Sequence, residues 1–454
     1  MEREKIGSRL AFILMSAGCA IGVGNVWKFP TMTGANGGGA FVLIYLVFLV
    51  ILGIPVMSME FAVGRGSQKS PVRLYHALVP EKKPWRAHGY AAMIANVILM
   101  MFYCVVSGWM LYYFFATVGG STANVTTPAQ SAELFNSVTE SPLIMILSTV
   151  GIVVVGFFIC SFQFNKGLEK VTKYMMLALL LIMFALAIYG FTLDGAGEGL
   201  KFYLVPDFSK IDFNVIVAAM NQAFFTLSLG IGSMAIFGSY IGKDRSLMGE
   251  SVNVVVLDTT VAITAGLIIF PACYTYGVAP DGGPSLIFQT LPLVFNSLPA
   301  GRVWGSLFFL FMTFAAFSTV LAVFENIIAC VRDLTGWTRM KACIVCGIAM
   351  LVLVMPCVLS FCAFGTSWGV LNTEDFLVSN ILLPLGCLTL VIFCTQKFGW
   401  GFDNFKQEAN LGKGLKVQNW MRFYMTYILP LLILAVFIIG VITFDYSGNI
   451  FSLF

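Results

Sequence analysis

Apolar segments long enough to cross a lipid bilayer recur along the whole length of this 454-residue chain. A membrane-spanning helix needs about 20 mostly apolar residues, because the hydrocarbon core of a bilayer is about 30 Å thick. Charged residues make up 11% of the chain, whereas a soluble domain carries about 25%. We therefore predict an all-α integral membrane protein with eleven transmembrane helices. The predicted spans are 10–32, 40–64, 88–117, 142–162, 171–193, 213–239, 251–278, 303–330, 341–363, 376–396 and 421–445.

Lysine and arginine are distributed unevenly between the two sides of these spans. Cytoplasmic loops of membrane proteins are enriched in both residues. With the N-terminus inside, 22 of the 26 basic residues fall in cytoplasmic segments, and only Lys28, Lys201, Lys210 and Arg302 do not. This bias predicts a cytoplasmic N-terminus and, with eleven spans, a C-terminus outside. The charged start MEREKIGSR leads directly into the first span without a cleavage pattern, so we expect that helix to be retained.

Two of the spans are interrupted by glycines. The first contains GCAIGVGNVWKFP at 18–30, and the sixth contains FFTLSLGIGSM at 224–234. They lie five spans apart, and Gly-interrupted helices at matching positions of two halves indicate an inverted repeat with a binding site at mid-membrane. We predict a single domain with one repeat in 1–193, a second in 213–396, and an additional span at 421–445. The segment PDGGPSLIFQTLPLVF is too short to span and predicts a loop with a re-entrant or surface helix.

Unwound helix in a membrane exposes polar backbone groups, which are tolerated only where something satisfies them. Half-helix N-termini attract carboxylates, and unwound carbonyl groups attract Na⁺. Neutral oxygens near the breaks come from Asn25, Thr226, Ser318 and Thr319, and Asp258 supplies a carboxylate in the seventh span. The alternative for Ser and Thr is a bond to the i−4 carbonyl. The alternative for the carboxylate is a proton relay or a structural pair.

Aromatic and cysteine side chains allow two interpretations each. Tyr103 and Phe225 could line a pocket, and Tyr103 is the stronger candidate because a buried hydroxyl needs a hydrogen-bond partner. A phenylalanine in such an aromatic chain is more commonly a packing residue.

Most of the 11 cysteines fall within apolar spans, which indicates packing. The C-x-x-C pair Cys343 and Cys346 has no partner pair, so a metal site there is disfavoured.

Several motifs resemble those of the neurotransmitter:sodium symporter family, which has the LeuT fold. These motifs are GCAIGVGNVWKFP followed by NGGGAF, NQAFFTLSLGIG, FAAFSTVLAVFEN, YLVPDFSK and GLEKVTKYMM. The resemblance runs from Arg3 to about residue 400, and eleven spans are typical of the prokaryotic branch. It implies a 5+5 inverted repeat with one extra helix, in which helices 1 and 6 are unwound. It also implies a Na⁺-coupled amino acid symporter that works by alternating access.

The resemblance assigns roles to residues at the matching motif positions. Substrate would contact Ala20, Gly22, Val23, Gly24, Leu99, Tyr103, Phe225, Thr226, Ser228, Ile231, Thr319 and Val323. One Na⁺ would be bound by Ala20, Asn25, Thr226 and Asp258, together with the substrate carboxylate. A second Na⁺ would be bound by Gly18, Ile21, Ala315, Ser318 and Thr319. The outer gate would pair Lys28 with Asp375 under a Phe225 lid, and the inner gate would pair Arg3 with Asp333 beside Tyr240.

Two positions bear on the substrate and the ions. Gly22 stands where monoamine transporters carry an aspartate, so the substrate is expected to bring its own carboxylate. Asp258 stands where chloride-dependent relatives have a neutral asparagine, so a fixed charge would replace chloride. The apolar wall implied by the resemblance, Leu99, Phe225, Ile231 and Val323, predicts a hydrophobic amino acid, aliphatic or aromatic. We therefore expect chloride-independent import, with proton return by Asp258 as a further hypothesis.

Four positions depart from the family pattern. Ile6 replaces a tryptophan that plugs the inner vestibule in relatives. Cys19 replaces a frequent asparagine near the site. Lys28 replaces the usual arginine, and because lysine cannot bind a carboxylate bidentately, the outer gate is expected to be looser. Leu177 stands where a proline normally follows Gly167, so inner opening could differ.

The remaining expectations concern location, partners and competing functions. We expect a prokaryotic inner (plasma) membrane protein, a monomer or weak dimer, that binds Na⁺ and a small amino acid and no nucleic acid. A non-transporting sensor on the same fold is the second hypothesis, and the intact ion ligands argue against it. A channel is the third, and the two gate pairs argue against continuous opening. An enzyme is disfavoured because no nucleophile–base or metal constellation appears.

Overall fold

The computed structural model describes residues 6–162, 167–277, 286–363 and 368–442. Helices account for the secondary structure of these residues, apart from an isolated β-bridge between Arg245 and Lys413. The helices of the first half are α1 Arg9–Ala20, α2 Gly24–Ala35, α3 Gly39–Ser67, α4 Pro71–Leu78, α5 Lys83–Gly119, α6 Pro128–Thr139, α7 Pro142–Ser161, α8 Leu168–Gly190 and α9 Ala196–Leu204. The helices of the second half are α10 Phe213–Thr226, α11 Ser233–Gly238, α12 Leu247–Thr275, α13 Ile287–Asn296, α14 Gly301–Thr335, α15 Arg339–Cys362, α16 Gly369–Thr395, α17 Phe402–Ala409 and α18 Met421–Ile442.

The predicted spans correspond closely to these helices. Nine helices in the described part of the chain are long and apolar enough to cross a membrane, and the bent pair α1 and α2 counts as a tenth. The predicted sixth span is divided into α10, with 14 residues, and α11, with six. Neither piece reaches the length of about 20 residues that a straight span requires. The eleven-span count and the inverted repeat therefore stay predictions.

The first break separates α1 from α2 at the glycines noted in the sequence. The α-helix ends at Ala20, because Ile21 adopts an extended conformation with ψ 104°. The chain resumes at Gly24 as a π-helical turn that leads into α2, and the two helices are bent by 56°. Pro30 lies directly after this π-helical turn, and because proline has no backbone N–H it removes one helical hydrogen bond there.

The second break is longer and relies on left-handed backbone conformations. After Thr226, Ser228, Gly230 and Gly232 have φ of 50°, 87° and 75°. Glycine adopts this left-handed conformation without steric cost, because it has no Cβ. Gly230 and Gly232 therefore favour the turn, whereas Ser228 adopts it at a steric cost. A Cβ on Gly230 would also lie 2.5 Å from the carbonyl oxygen of Leu383 on α16. The glycines therefore allow the unwound segment to lie directly against a neighbouring helix.

Long helices surround the two breaks. Helix α14, with 35 residues, packs along α5, α8 and α1, and it places Ser318 and Thr319 beside the first break. Helix α12 packs against α1 and α9 and carries the fully buried Asp258. All 11 cysteines lie in the described part of the chain, none of them forms a disulfide, and ten are buried, in agreement with the packing interpretation. Residues 280–285 of PDGGPSLIFQTLPLVF lie outside the described residues, and most of its remainder belongs to the short helix α13.

Candidate substrate and ion site

A small cavity lies between the two broken helices. Eight of its nine lining residues are among the predicted substrate contacts, and the ninth, Leu383, is not. The lining residues are Ala20, Gly24, Leu99, Tyr103, Phe225, Ser228, Ile231, Thr319 and Leu383. Four predicted contacts, Gly22, Val23, Thr226 and Val323, are buried but lie outside this lining. Residues from six helices and from the second break thus converge on one space.

The polar end of the cavity is formed by Tyr103 and the unwound first helix. The Tyr103 hydroxyl accepts a hydrogen bond from the backbone N–H of Val23 at 2.8 Å. A Cβ on Gly22 would lie 2.1 Å from this hydroxyl and 2.4 Å from Oγ1 of Thr319. Glycine is therefore needed at position 22 for the two side chains to approach the backbone. A tyrosine hydroxyl beside unwound backbone can bind a carboxylate.

The predicted first ion site centres on Asp258. Its carboxylate is fully buried and accepts a hydrogen bond from Nδ2 of Asn25 at 2.8 Å. Oγ1 of Thr226 lies 3.5 Å from the other carboxylate oxygen. Oδ1 of Asn25 accepts from the Gly22 N–H at 3.1 Å, which orients the amide. A buried carboxylate is costly without a cation, so this oxygen cluster suits Na⁺, which prefers hard oxygen ligands.

The predicted second ion site joins α1 to α14. Oγ of Ser318 donates to the Ile21 carbonyl at 3.1 Å and to the Ala315 carbonyl at 2.8 Å. Oγ1 of Thr319 lies 3.4 Å from the carbonyl oxygen of Gly18 and 3.2 Å from that of Ile21. All five predicted ligands therefore meet as a set of neutral oxygens. Thr319 also lines the cavity, so one side chain connects the substrate space with this cluster.

The predicted outer gate is assembled. The Nζ atom of Lys28 lies 3.0 Å from both carboxylate oxygens of Asp375 and 3.2 Å from Oγ of Ser379. The same ammonium group lies 3.9 Å from the centroid of the Phe225 ring, which favours a cation–π contact. Phe225 also lines the cavity, so the gate covers the cavity directly.

The predicted inner gate is described in part, because Arg3 lies outside the described residues. Asp333 accepts a hydrogen bond from the Ser70 N–H at 2.8 Å. The Tyr240 hydroxyl donates to Oε1 of Glu325 at 2.8 Å, and Arg339 binds both oxygens of that carboxylate, at 3.1 and 2.5 Å. The bidentate Arg339–Glu325 pair was missed by the sequence analysis. Its signal was an acidic residue within a span, which indicates function or pairing by default.

Polar side chains that fix the second break were also missed. Nδ2 of Asn96 donates to the Ile231 carbonyl at 2.7 Å, and its Oδ1 accepts from Ser233 at 3.1 Å. Oε2 of the buried Glu60 accepts from the Gly230 N–H at 3.3 Å. These contacts satisfy backbone groups that the unwound segment exposes. An asparagine and a glutamate within apolar spans were the available signals.

The chain is similar to known transporters over nearly its whole length. The family model described as "Sodium:neurotransmitter symporter family" matches residues 3–137 and 129–451. An uncharacterized sodium-dependent transporter, YhdH, of Bacillus subtilis is 33% identical, with 96% of this chain and 98% of that protein covered. The sodium-dependent serotonin transporter of Drosophila melanogaster is 26% identical, with 97% of this chain and 76% of that protein covered.

A solved structure gives the same result for the fold. The crystal structure of MhsT in complex with L-phenylalanine superposes with a TM-score of 0.87 at 36% identity, and it covers 96% of this chain and 100% of that one. These relatives are transporters and not enzymes. The family match, the relatives and the superposition together show that this chain belongs to the sodium:neurotransmitter symporter family.

Proposed function

We propose that the chain is a Na⁺-coupled symporter that imports a hydrophobic L-amino acid, aliphatic or aromatic, without chloride. The observation that carries the proposal is the cavity between the breaks. Its polar end is the Tyr103 hydroxyl beside unwound backbone, and its remaining wall is largely apolar. Such a lining suits the carboxylate of an amino acid at one end and an apolar side chain at the other, and the cavity must widen from its volume of about 10 Å³ to admit them.

The size of the accepted side chain depends on Leu99, Phe225, Ile231 and Leu383. These four residues offer no charge or hydrogen bond to a substrate side chain. One methylene group changes binding in an apolar pocket by only about 1–3 kcal/mol, so broad selectivity is expected. MhsT, which is 36% identical to this chain, was solved in complex with L-phenylalanine. That complex supports an aromatic substrate for this chain as well.

Two Na⁺ ions are proposed at the two oxygen clusters. The carboxylate of Asp258 and the oxygens of Asn25 and Thr226 suit one ion, to which the substrate carboxylate adds a ligand. The clustered carbonyl and hydroxyl oxygens around Ser318 and Thr319 suit the other. When a substrate completes an ion's coordination shell, each raises the affinity of the other by the same factor. This reciprocity would couple amino acid uptake to the Na⁺ gradient.

Chloride independence follows from the carboxylate itself. A relative that has a neutral side chain at this position needs a bound anion to balance the charge of the bound ions and substrate. Asp258 would supply that negative charge from the chain itself, and Asn25 donates a hydrogen bond to its carboxylate. Transport would then need only Na⁺ and substrate.

Alternating access would use the two ends of the molecule in turn. Lys28, Asp375 and Phe225 close the outer side of the cavity, and the Glu325, Arg339 and Tyr240 cluster lies on the side where basic loops predominate. We assign that side to the cytoplasm, with the N-terminus there and the C-terminus outside. The protein would function in the inner (plasma) membrane of a prokaryote as a monomer or weak dimer.

Binding and counterflow measurements test the proposal. Purified protein would be screened against the amino acids by scintillation-proximity binding, with Na⁺ or with choline as the cation. A hydrophobic amino acid should bind only with Na⁺, and chloride replacement by gluconate should have no effect. In proteoliposomes, internal unlabelled substrate should stimulate Na⁺-dependent entry of labelled substrate. Binding without counterflow would indicate a sensor, and flux without saturation would indicate a channel.

A further inference from the structure

A second and larger cavity opens between α5 and α16, away from the transport site. It has a volume of about 830 Å³ and is lined almost wholly by apolar groups. Small residues form its walls, with Ala87, Ala91, Ala92 and Ala95 on α5 and Gly386 on α16. Because these side chains are short, the two helices leave a groove between them. We refer to this cavity as the α5/α16 groove.

The α5/α16 groove has the depth of one membrane leaflet. Its wall on α5 runs from Pro84 to Ala95, and a helix rises 1.5 Å per residue, so the groove is about 16 Å deep. One leaflet contributes about half of the 30 Å hydrocarbon core. On the same helix, Tyr90 and Ile94 are 47% and 56% exposed and lie outside the lining. Exposed apolar residues within a span face lipid, so the groove is bordered by the bilayer.

The mouth of the groove is basic and aromatic. Trp85 stacks on Phe398 with ring centroids 5.9 Å apart, and its Nε1 donates to the Phe398 carbonyl at 3.1 Å. Tryptophan is typical of the membrane–water interface. Trp85 and Phe398 are flanked in the sequence by four basic residues, which are Lys82, Lys83, Arg86 and Lys397. The one acidic residue beside them in the sequence is Glu81. A basic mouth above an apolar groove is complementary to an anionic phospholipid.

Two of the basic side chains have hydrogen-bonding capacity left for a head group. Nζ of Lys82 donates to the carbonyls of Lys397 and Gly399 at 3.0 and 3.2 Å, and an ammonium group has three N–H donors. Nε of Arg86 is buried and has no hydrogen-bond partner. Nη2 of Arg86 contacts Nδ1 of His76 at 2.8 Å and donates to the Pro80 carbonyl at 3.1 Å. The guanidinium is therefore held one residue along the chain from Trp85 of the groove lining, where its charge attracts a phosphate.

The inner end of the groove reaches the second broken helix. Gly230 lines the groove there, and its N–H donates to Glu60. A Cβ on Gly386 would lie 2.1 Å from the Gly230 carbonyl oxygen, so α16 and the unwound segment are in direct backbone contact. An occupant of the groove would therefore touch the segment that also forms the substrate cavity.

We propose that the α5/α16 groove binds one acyl chain of an anionic phospholipid from the leaflet on the basic side, with its phosphate at Lys82 and Arg86. The lipid would pack against the unwound segment at Gly230 and stabilise its conformation. The site is separate from the substrate and ion sites, and its existence does not depend on which amino acid is transported.

Fluorescence quenching by brominated lipids tests the proposal without a transport assay. Full-length protein would be reconstituted in vesicles of phosphatidylcholine that contain brominated phosphatidylglycerol or, in a parallel series, brominated phosphatidylcholine. The fluorescence of Trp85→Phe is subtracted from that of the wild-type protein, which leaves the emission of Trp85. Brominated phosphatidylglycerol should quench this signal more strongly than brominated phosphatidylcholine. Equal quenching by the two lipids would overturn the anionic site.

Two variants and their controls separate the acyl chain from the head group. Ala91→Phe fills the groove and should reduce Trp85 quenching by phosphatidylglycerol to the phosphatidylcholine level, whereas Ile94→Phe, on the exposed side of α5, should not. Arg86→Gln should weaken the phosphatidylglycerol preference about fivefold, whereas Lys341→Gln should not. Unchanged quenching in Ala91→Phe would overturn occupancy of the groove. A dimer cross-linked through the new thiol of Ala91→Cys would assign the groove to a second copy of the chain and overturn the lipid site.

Discussion

At the scale of single residues, Asp258 is the proposed determinant of the ions that the transporter needs. Its buried carboxylate is hydrogen-bonded by Asn25 and lies beside Thr226. Asp258→Asn removes the negative charge and keeps the shape of the side chain. We expect Na⁺-dependent uptake to be abolished or to become dependent on chloride. Uptake in chloride and in gluconate would be compared in proteoliposomes.

The matched control for this substitution is Asp403→Asn. Asp403 is 79% exposed at its side chain and pairs with Arg422 at the surface, so it should leave uptake unchanged in either anion. Chloride-independent uptake at the wild-type rate in Asp258→Asn would contradict the assigned role.

Lys28 is proposed to hold the cover of the cavity in place. Its salt bridge to Asp375 is partly exposed, at 26% and 31%, and such pairs contribute about 0–1 kcal/mol. The cation–π contact with Phe225 adds about 0.5–1 kcal/mol. We therefore expect Lys28→Ala to speed dissociation of labelled substrate by roughly threefold to tenfold, since 1.4 kcal/mol is a factor of ten.

Lys28→Arg serves as the comparison at the same position. A guanidinium group can bind Asp375 bidentately and stack on Phe225, so dissociation should be as slow as in wild type or slower. Dissociation would be followed by dilution into unlabelled substrate with Na⁺ held constant. Equal rates in Lys28→Ala and wild type would show that the pair does not cover the site.

At the scale of helices, the unwound segment between α10 and α11 depends on glycine. Gly230 has φ 87°, and a Cβ there would lie 2.5 Å from the Leu383 carbonyl oxygen. Gly230→Ala should therefore strain the backbone and displace α16, which lowers the melting temperature and substrate affinity together. Gly151→Ala is the matched control, because a Cβ at that position of α7 meets nothing within 4 Å. Thermal unfolding and Na⁺-dependent binding would be measured on both variants, and wild-type binding in Gly230→Ala would contradict the prediction.

Sequence patterns predicted the helices and the position of both breaks, because length, hydropathy and glycine clusters are local properties. Partners distant in the chain were not predictable in this way. Glu60 and Gly230 are 170 residues apart, and Asn96 and Ile231 are 135 apart. Nothing in either local sequence specifies such a pairing, since it arises only when α3 and α5 pack around the second break. Leu383 was missed for the same reason, as an ordinary apolar residue within a span.

At the scale of the whole molecule, the transport cycle requires that ions, substrate and helix packing respond together. Thr319 is placed for this coupling, because it projects from α14 into the cavity and lies 3.4, 3.2 and 3.2 Å from the carbonyl oxygens of Gly18, Cys19 and Ile21. The unwound end of α1, the proposed second ion and the substrate therefore share one hydroxyl group. Reciprocal coupling between the two ligands should pass through it.

Thr319→Val tests this coupling while it preserves side-chain volume. Loss of one hydroxyl that binds an ion or satisfies buried carbonyls costs about 1–3 kcal/mol. We expect the Na⁺ concentration for half-maximal substrate binding to rise by about tenfold or more. Thr313→Val is the control, because Thr313 is also buried on α14 and its hydroxyl donates to the Phe309 carbonyl of the same helix at 2.7 Å. Substrate binding would be titrated with Na⁺ for all three proteins. A parallel shift in both variants would indicate a general packing effect, whereas a shift confined to Thr319→Val would link the second ion to the substrate through α14.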